Sequence, residues 1–220
     1  MSDAHAMEHH LETSTGLHSR KLAIWTFIVS ECLFFATLIS NYLVHKETWL
    51  TGPGPFPHQE WVSPAGQHFE PIIEIPLVTL GTALLLFSSL FVVLALSGAQ
   101  RGSRKALVGW LAATIFCGIF FVGMQVYEFT HFVHEGLTLK TNLFGASFFT
   151  LTGFHGTHVT IGVIFLIAIA RKVWRGDFDV ERRGFFTSRK GHYEIVEIMG
   201  LYWHFVDLVW VFIFALFYLW

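Results

Sequence analysis

Charge is scarce in this chain: of 220 residues only 14% are Asp, Glu, Lys or Arg, where a soluble domain carries about a quarter. That shortage, in a chain that is 53% hydrophobic, excludes a disordered polymer and an ordinary water-soluble domain. Basic residues are not in excess either, with 14 Lys and Arg against 16 Asp and Glu, so there is no electrostatic footprint for nucleic acid. Cysteine is nearly absent. Cys32 and Cys117 lie in separate apolar runs, which rules out a CxxC site and a disulfide framework, and both are read as buried apolar residues. Proline is missing outside residues 51–76, where all six occur; that stretch is expected to be an ordered external loop. No internal repeat or composition break marks a domain boundary.

What the chain has is long apolar runs. A crossing of a 30 Å hydrocarbon core needs about 20 apolar residues, and five segments meet it: 22–44, 72–97, 106–132, 143–170 and 195–220. The expected fold is an all-α integral membrane protein. Residues 22–220 form one five-helix domain behind a polar leader, 1–21, and no small-residue cleavage site follows the first run, so it is expected to be retained. Twelve of the 14 Lys and Arg fall in the leader and in the loops after the second and fourth segments, leaving Lys46 and Lys140 on the other side. The positive-inside rule then places the N-terminus in the cytoplasm and the C-terminus outside. The charged stretch 171–194 is read as a solvated loop, and His5, His9, His10 and His18 as part of a mobile tail.

Polar groups at membrane depth are costly and need a partner, a proton or a function. Glu31 lies ten residues past Lys21, about 15 Å deep at 1.5 Å per residue, among Phe27, Ile28, Phe34 and Phe35. It is expected to be largely uncharged unless a cation or bound water compensates. Two readings stay open: a proton-exchanging or lipid-contacting carboxyl, or a protonated carboxyl hydrogen-bonded to a neighbouring helix. The third segment ends in MQVYEFTHFVHEG, where Glu128 and His131 share a face; the fourth contains GFHGTH, with His155 and His158 one turn apart; the fifth contains YWHFVD, with His204 and Asp207 three apart.

By depth, His155, His158, His204 and Asp207 form one layer near the midplane, with Glu128 closer to the outer surface. A Glu-x-x-His beside a His-x-x-His invites a metal reading, but a di-iron bundle wants two Glu-x-x-His motifs and two further carboxylates at one depth. The preferred reading is an interhelical polar network joining the fourth and fifth helices, with Asp207 accepting from an imidazole N–H. Gly118 and Gly123 on the third segment, and Gly153, Gly156 and Gly162 on the fourth, are expected to let neighbouring backbones approach. A stand-alone metalloenzyme using Glu128, His131, His155, His158, His204 and Asp207 is one competing function. A proton-coupled transporter using Glu31 and Asp207 is another, although paired interrupted helices are absent.

Four stretches resemble a known family: FIVSECLFF around Glu31, the end of the third segment with Tyr127 and Glu128, GASFFTLTGFHGTHVTIG from Gly145 to Gly162, and LYWHFVDLVWVFIF from Leu201 to Phe214. Together they resemble subunit III of the haem-copper respiratory oxidases in its short, five-helix bacterial form. The resemblance implies a multi-pass plasma-membrane subunit with no redox centre of its own, packed on the catalytic subunit I that holds the haems and copper, with subunit II and bound phospholipid as further partners. Contact with other respiratory complexes stays open. It also implies that Glu31 corresponds to a carbodiimide-reactive carboxyl beside a lipid-binding cleft, in a subunit that steadies catalysis, aids proton uptake and gives oxygen a lipid route. Longer members begin with two additional helices, so one wall of the cleft is expected from another subunit or from lipid. Glu31 and the YWHFVD pattern resemble the cytochrome c branch, with a quinol oxidase or a nitric-oxide-reductase accessory protein as alternatives.

Overall fold

The computed structural model describes residues 19–49, 61–62, 68–69, 75–175 and 194–219. The leader's histidines, most of the 51–76 loop and residues 176–193 of the charged loop therefore lie outside the described residues. Five long helices run through the described part: α1, Ser19–Trp49; α2, Ile75–Gln100; α3, Arg104–His134; α4, Leu143–Trp174; and α5, Glu194–Phe214. All five are long and apolar enough to cross a membrane. A two-residue antiparallel pairing, β1 (Trp61–Val62) with β2 (His68–Phe69), sits between α1 and α2, with Trp61 opposite Phe69.

Helices α1, α3 and α4 extend past their apolar runs by a few residues and carry Lys, Arg or His in their last turns, whose charged heads can reach the polar interface while the stems stay along the helix. The second helix starts later than its apolar run, at Ile75 rather than 72. Pro76 is favoured in a first turn, where its missing N–H costs nothing. Two turns of one design join α2 to α3 and α3 to α4. Gly102 and Gly136 take φ of 71° and 88°, and the next residue's N–H reaches back five residues, Ser103 to Gly98 and Leu137 to Phe132, at 3.0 and 2.9 Å. These are Schellman closures, which need a left-handed residue at that position. Ser103 and Asn142 then cap the following helices through Ala106 N and Gly145 N.

The α5 helix is the centre of the packing. It contacts α1, α2 and α4, and Trp203 and Trp210 on it are fully buried. Each indole N–H finds a hydroxyl on α2: Trp203 donates to Ser88 Oγ at 2.8 Å and Trp210 to Thr82 Oγ1 at 2.9 Å. By contrast α1 lies at the edge against α4 and α5. It buries Phe35 and Tyr42, while Trp25, Val29, Leu33 and Val44 stay exposed. Lys21 pairs with Glu197 on α5 at 2.9 Å near the start of both helices, and the Tyr42 hydroxyl donates to the Leu216 carbonyl near their ends. The fifth segment does not remain α-helical to its end. Residues Ala215–Leu219 widen into a π-turn, where Tyr218 donates to Glu128 Oε2 at 2.8 Å.

The glycines divide by role. A methyl group on Gly118 or Gly162 would strike the Trp203 ring, and one on Gly156 would strike the Gln125 amide, whereas Gly123 and Gly153 face open space. The expected backbone approach is thus replaced by room for large side chains at three positions, and Gly123 and Gly153 show no close neighbour.

Candidate functional site

The polar residues expected in one layer fall into separate stations. Glu31, midway along α1, points at α4, where His158 Nε2 lies 3.2 Å from Glu31 Oε2. The other ring nitrogen, His158 Nδ1, is 2.7 Å from the Phe154 carbonyl, one turn back on α4. From α5 the Tyr202 hydroxyl donates to the His158 carbonyl at 2.9 Å. Phe35 lies edge-on to the imidazole at 5.1 Å and is itself packed edge-on by Phe34. Three helices therefore meet at one carboxyl–imidazole contact.

His155, about 60° around α4 from His158, meets different neighbours, on the α3 and α5 side. It is fully buried between Phe121 and Trp210. Its Nε2 faces the Val206 carbonyl on α5 at 3.3 Å, so that nitrogen must donate, since a carbonyl can only accept. Nδ1 has no hydrogen-bond partner in the described structure.

On the far side of α5, His204 Nδ1 is 2.5 Å from Ser89 Oγ on α2. Asp207 is buried beside them. Neither of its oxygens has a well-formed hydrogen bond among the described residues, and Ser89, whose bond goes to His204, is the polar side chain that bears on it. The hydrogen bond anticipated between Asp207 and a histidine of the fourth helix is not present: His155 meets a carbonyl and His158 meets Glu31. The physical reason is angular, because Asp207 faces α2 while both histidines of α4 are turned toward other neighbours.

Glu128 and His131 stand apart again. Glu128 accepts from Tyr218, and His131 stacks parallel to Tyr127. Among the described residues no three His, Cys, Asp or Glu side chains converge as a metal site would require. Ser88, Ser89, Thr82, Tyr202 and Gln125 were not singled out from the sequence. Their signal is a polar group inside an apolar helix, read less readily than a charge because Ser and Thr can satisfy themselves on the preceding turn.

An apolar groove of about 250 Å³ opens beside the Glu31–His158 pair, walled by Ile24 and Phe27 of α1, His158, Ile161 and Phe165 of α4, and Ile198, Met199 and Tyr202 of α5. It follows the half of the bundle where α1 and α5 begin.

The family model for cytochrome c oxidase subunit III matches residues 2–220. The chain is 37% identical over 196 residues to a Bacillus subtilis protein named quinol oxidase subunit 3, covering 88% of this chain and 83% of that one. It is 30% identical over 222 residues to a Pseudomonas aeruginosa protein named cytochrome bo(3) ubiquinol oxidase subunit 3, covering 100% and 94%. A Bacillus sp. (strain PS3) protein named cytochrome c oxidase subunit 3 is 33% identical over 199 residues, covering 90% and 84%.

Proposed function

Because this chain belongs to the cytochrome c oxidase subunit III family, and so is subunit III of a haem-copper oxidase in a bacterial membrane, we propose that it steadies the catalytic subunit and keeps a lipid- and proton-accessible carboxyl at its side. The haems and copper are assigned to the catalytic subunit I, with subunit II as a further partner. The observation that carries the reading is the Glu31–His158 contact at the rim of an apolar groove. A lone carboxyl in hydrocarbon would be expensive; here it has one imidazole partner, and that imidazole lines a groove that suits an acyl chain. The exposed outer face of α1 leaves the groove's open side to a second subunit or to lipid, and oxygen, being apolar, partitions into such a space.

The proposed donor to the whole complex is cytochrome c, on the strength of Glu31 and the YWHFVD sequence. A second reading, quinol as donor, is supported by the names of the Bacillus subtilis and Pseudomonas aeruginosa relatives. One experiment tests both. The chain is tagged at its C-terminus, extracted in mild detergent and examined for haem absorbance and for oxygen uptake with reduced cytochrome c and with quinol. Co-purifying haem with oxygen uptake is expected, and the preferred donor names the branch. An intact, haem-free chain isolated alone would overturn the proposal.

A further inference from the structure

We infer that Glu31 and His158 hold one proton jointly, with His158 Nε2 as the base that takes it from, and returns it to, the Glu31 carboxyl. The inference deepens the role proposed for Glu31 and rests on that reading only for its place in an oxidase; the proton geometry follows from the chain itself. His158 Nδ1 lies 2.7 Å from the Phe154 carbonyl, and a carbonyl oxygen has no proton to give, so Nδ1 must carry one. In a neutral imidazole the other nitrogen is then a bare acceptor. That bare nitrogen is the one facing Glu31 Oε2 at 3.2 Å. An ionised carboxylate there would oppose two lone pairs, so the contact needs one proton between them.

The proton can sit on either atom. When it moves, the Oε2–H bond breaks and the Nε2–H bond forms, leaving a carboxylate facing an imidazolium that still donates from Nδ1 to Phe154. The pair stays net neutral throughout, which is the arrangement a low-dielectric site tolerates best. No ring rotation is needed, because the Phe154 carbonyl holds the ring from behind and Tyr202 ties down the backbone of His158. The other titratable groups near the pair do not compete for this proton. Tyr202 points at the His158 carbonyl, His155 turns its Nε2 to Val206, and Cys32, expected from its apolar run to be buried, is instead exposed on the outer side of the edge helix α1. The opposite tautomer of His155, one turn away, shows that the setting of His158 comes from its own contacts and not from the helix.

The test is nitrogen-15 magnetic resonance of histidine-labelled full chain in lipid bilayers, with the subunits that co-purify left in place. The wild-type protein is compared with His158→Gln, which identifies the resonances, and with Glu31→Gln, which keeps the shape but removes the acid. The expected result is a His158 ring protonated at Nδ1, whose Nε2 resonance moves when Glu31 becomes Gln. A ring protonated at Nε2 with bare Nδ1, or an Nε2 resonance indifferent to Glu31→Gln, would overturn the inference. Neither readout depends on haem or oxygen uptake, so its failure is separate from failure of the proposed function.

Discussion

The indole of Trp203 donates to Ser88 Oγ at 2.8 Å across the α2–α5 contact, and the space that admits its ring is made by glycine on two other helices. A Cβ on Gly118 would lie 2.8 Å from the ring and 2.6 Å from Val163; one on Gly162 would lie 2.9 Å from the ring. Trp203 is fully buried, so it has nowhere to retreat. Gly118→Ala is therefore expected to destabilise the bundle by about 1–3 kcal/mol, the usual cost of overpacking, despite alanine's better helix propensity. Thermal unfolding of the purified protein checks this. A variant as stable as wild type would mean that the ring can move.

Asp207→Asn acts on a different contact from the one its sequence position suggests. Since the carboxyl faces α2 near Ser89 without a well-formed hydrogen bond, its replacement is expected to slacken α2 against α5 by at most about 1 kcal/mol, the scale of a polar contact between membrane helices. Disulfide trapping across α2–α5 and, separately, across α4–α5 tells the two apart. Loosening at α4–α5 alone would contradict the placement.

Lys21 and Glu197 join α1 to the central helix, with about a third of each side chain exposed. At that exposure an ion pair contributes about 0.2–1 kcal/mol and is screened by salt. Glu197→Gln is expected to lower the unfolding temperature slightly at low ionic strength and not measurably at high salt. An effect that persists in high salt would show that the pair does more than attract.

How much of this was legible beforehand differs between the fold and the site. The five spans were readable because apolar run length is a property of the local sequence, and hydrocarbon thickness sets the threshold. The π-turn at Ala215–Leu219 was not, since it is held by Tyr42 and Tyr218 contacts to other parts of the chain. At the site, residue type and depth picked out Glu31, His155, His158, His204 and Asp207. Their pairing was not legible: it depends on the rotation of each helix about its axis, which is set by packing. Glu31 meeting His158, while His155 three residues earlier meets a backbone carbonyl, is the clearest instance.

Glu31→Gln preserves the length and hydrogen-bonding capacity of the side chain at a half-buried position. The bundle is expected to assemble as before, while bound lipid and the lifetime of the oxidase during turnover fall. Lipid content by mass spectrometry and activity decay over successive turnovers are the measurements. Unchanged values for both would leave the carboxyl without the proposed role.

Gln125 and Gly156 offer a test of how α3 is fastened to α4. The Gln125 Nε2 donates to the Thr152 carbonyl at 2.6 Å, and the rest of the amide lies over Gly156, where a Cβ would come 2.5 Å from Oε1. The obstacle is the end of a side chain, so Gly156→Ala is expected to push the amide aside and break the Thr152 bond. Breaking one hydrogen bond at membrane depth costs about 1 kcal/mol, with a maximum near 2. Gln125→Ala alone loses the same bond and leaves a small void, which costs on a similar scale. In Gln125→Ala/Gly156→Ala the new methyl enters the space the amide has vacated. The double variant is then expected to be no less stable than Gln125→Ala, giving a favourable coupling of about 1 kcal/mol in a double-mutant cycle. Additive losses would mean that alanine at 156 strikes something other than Gln125.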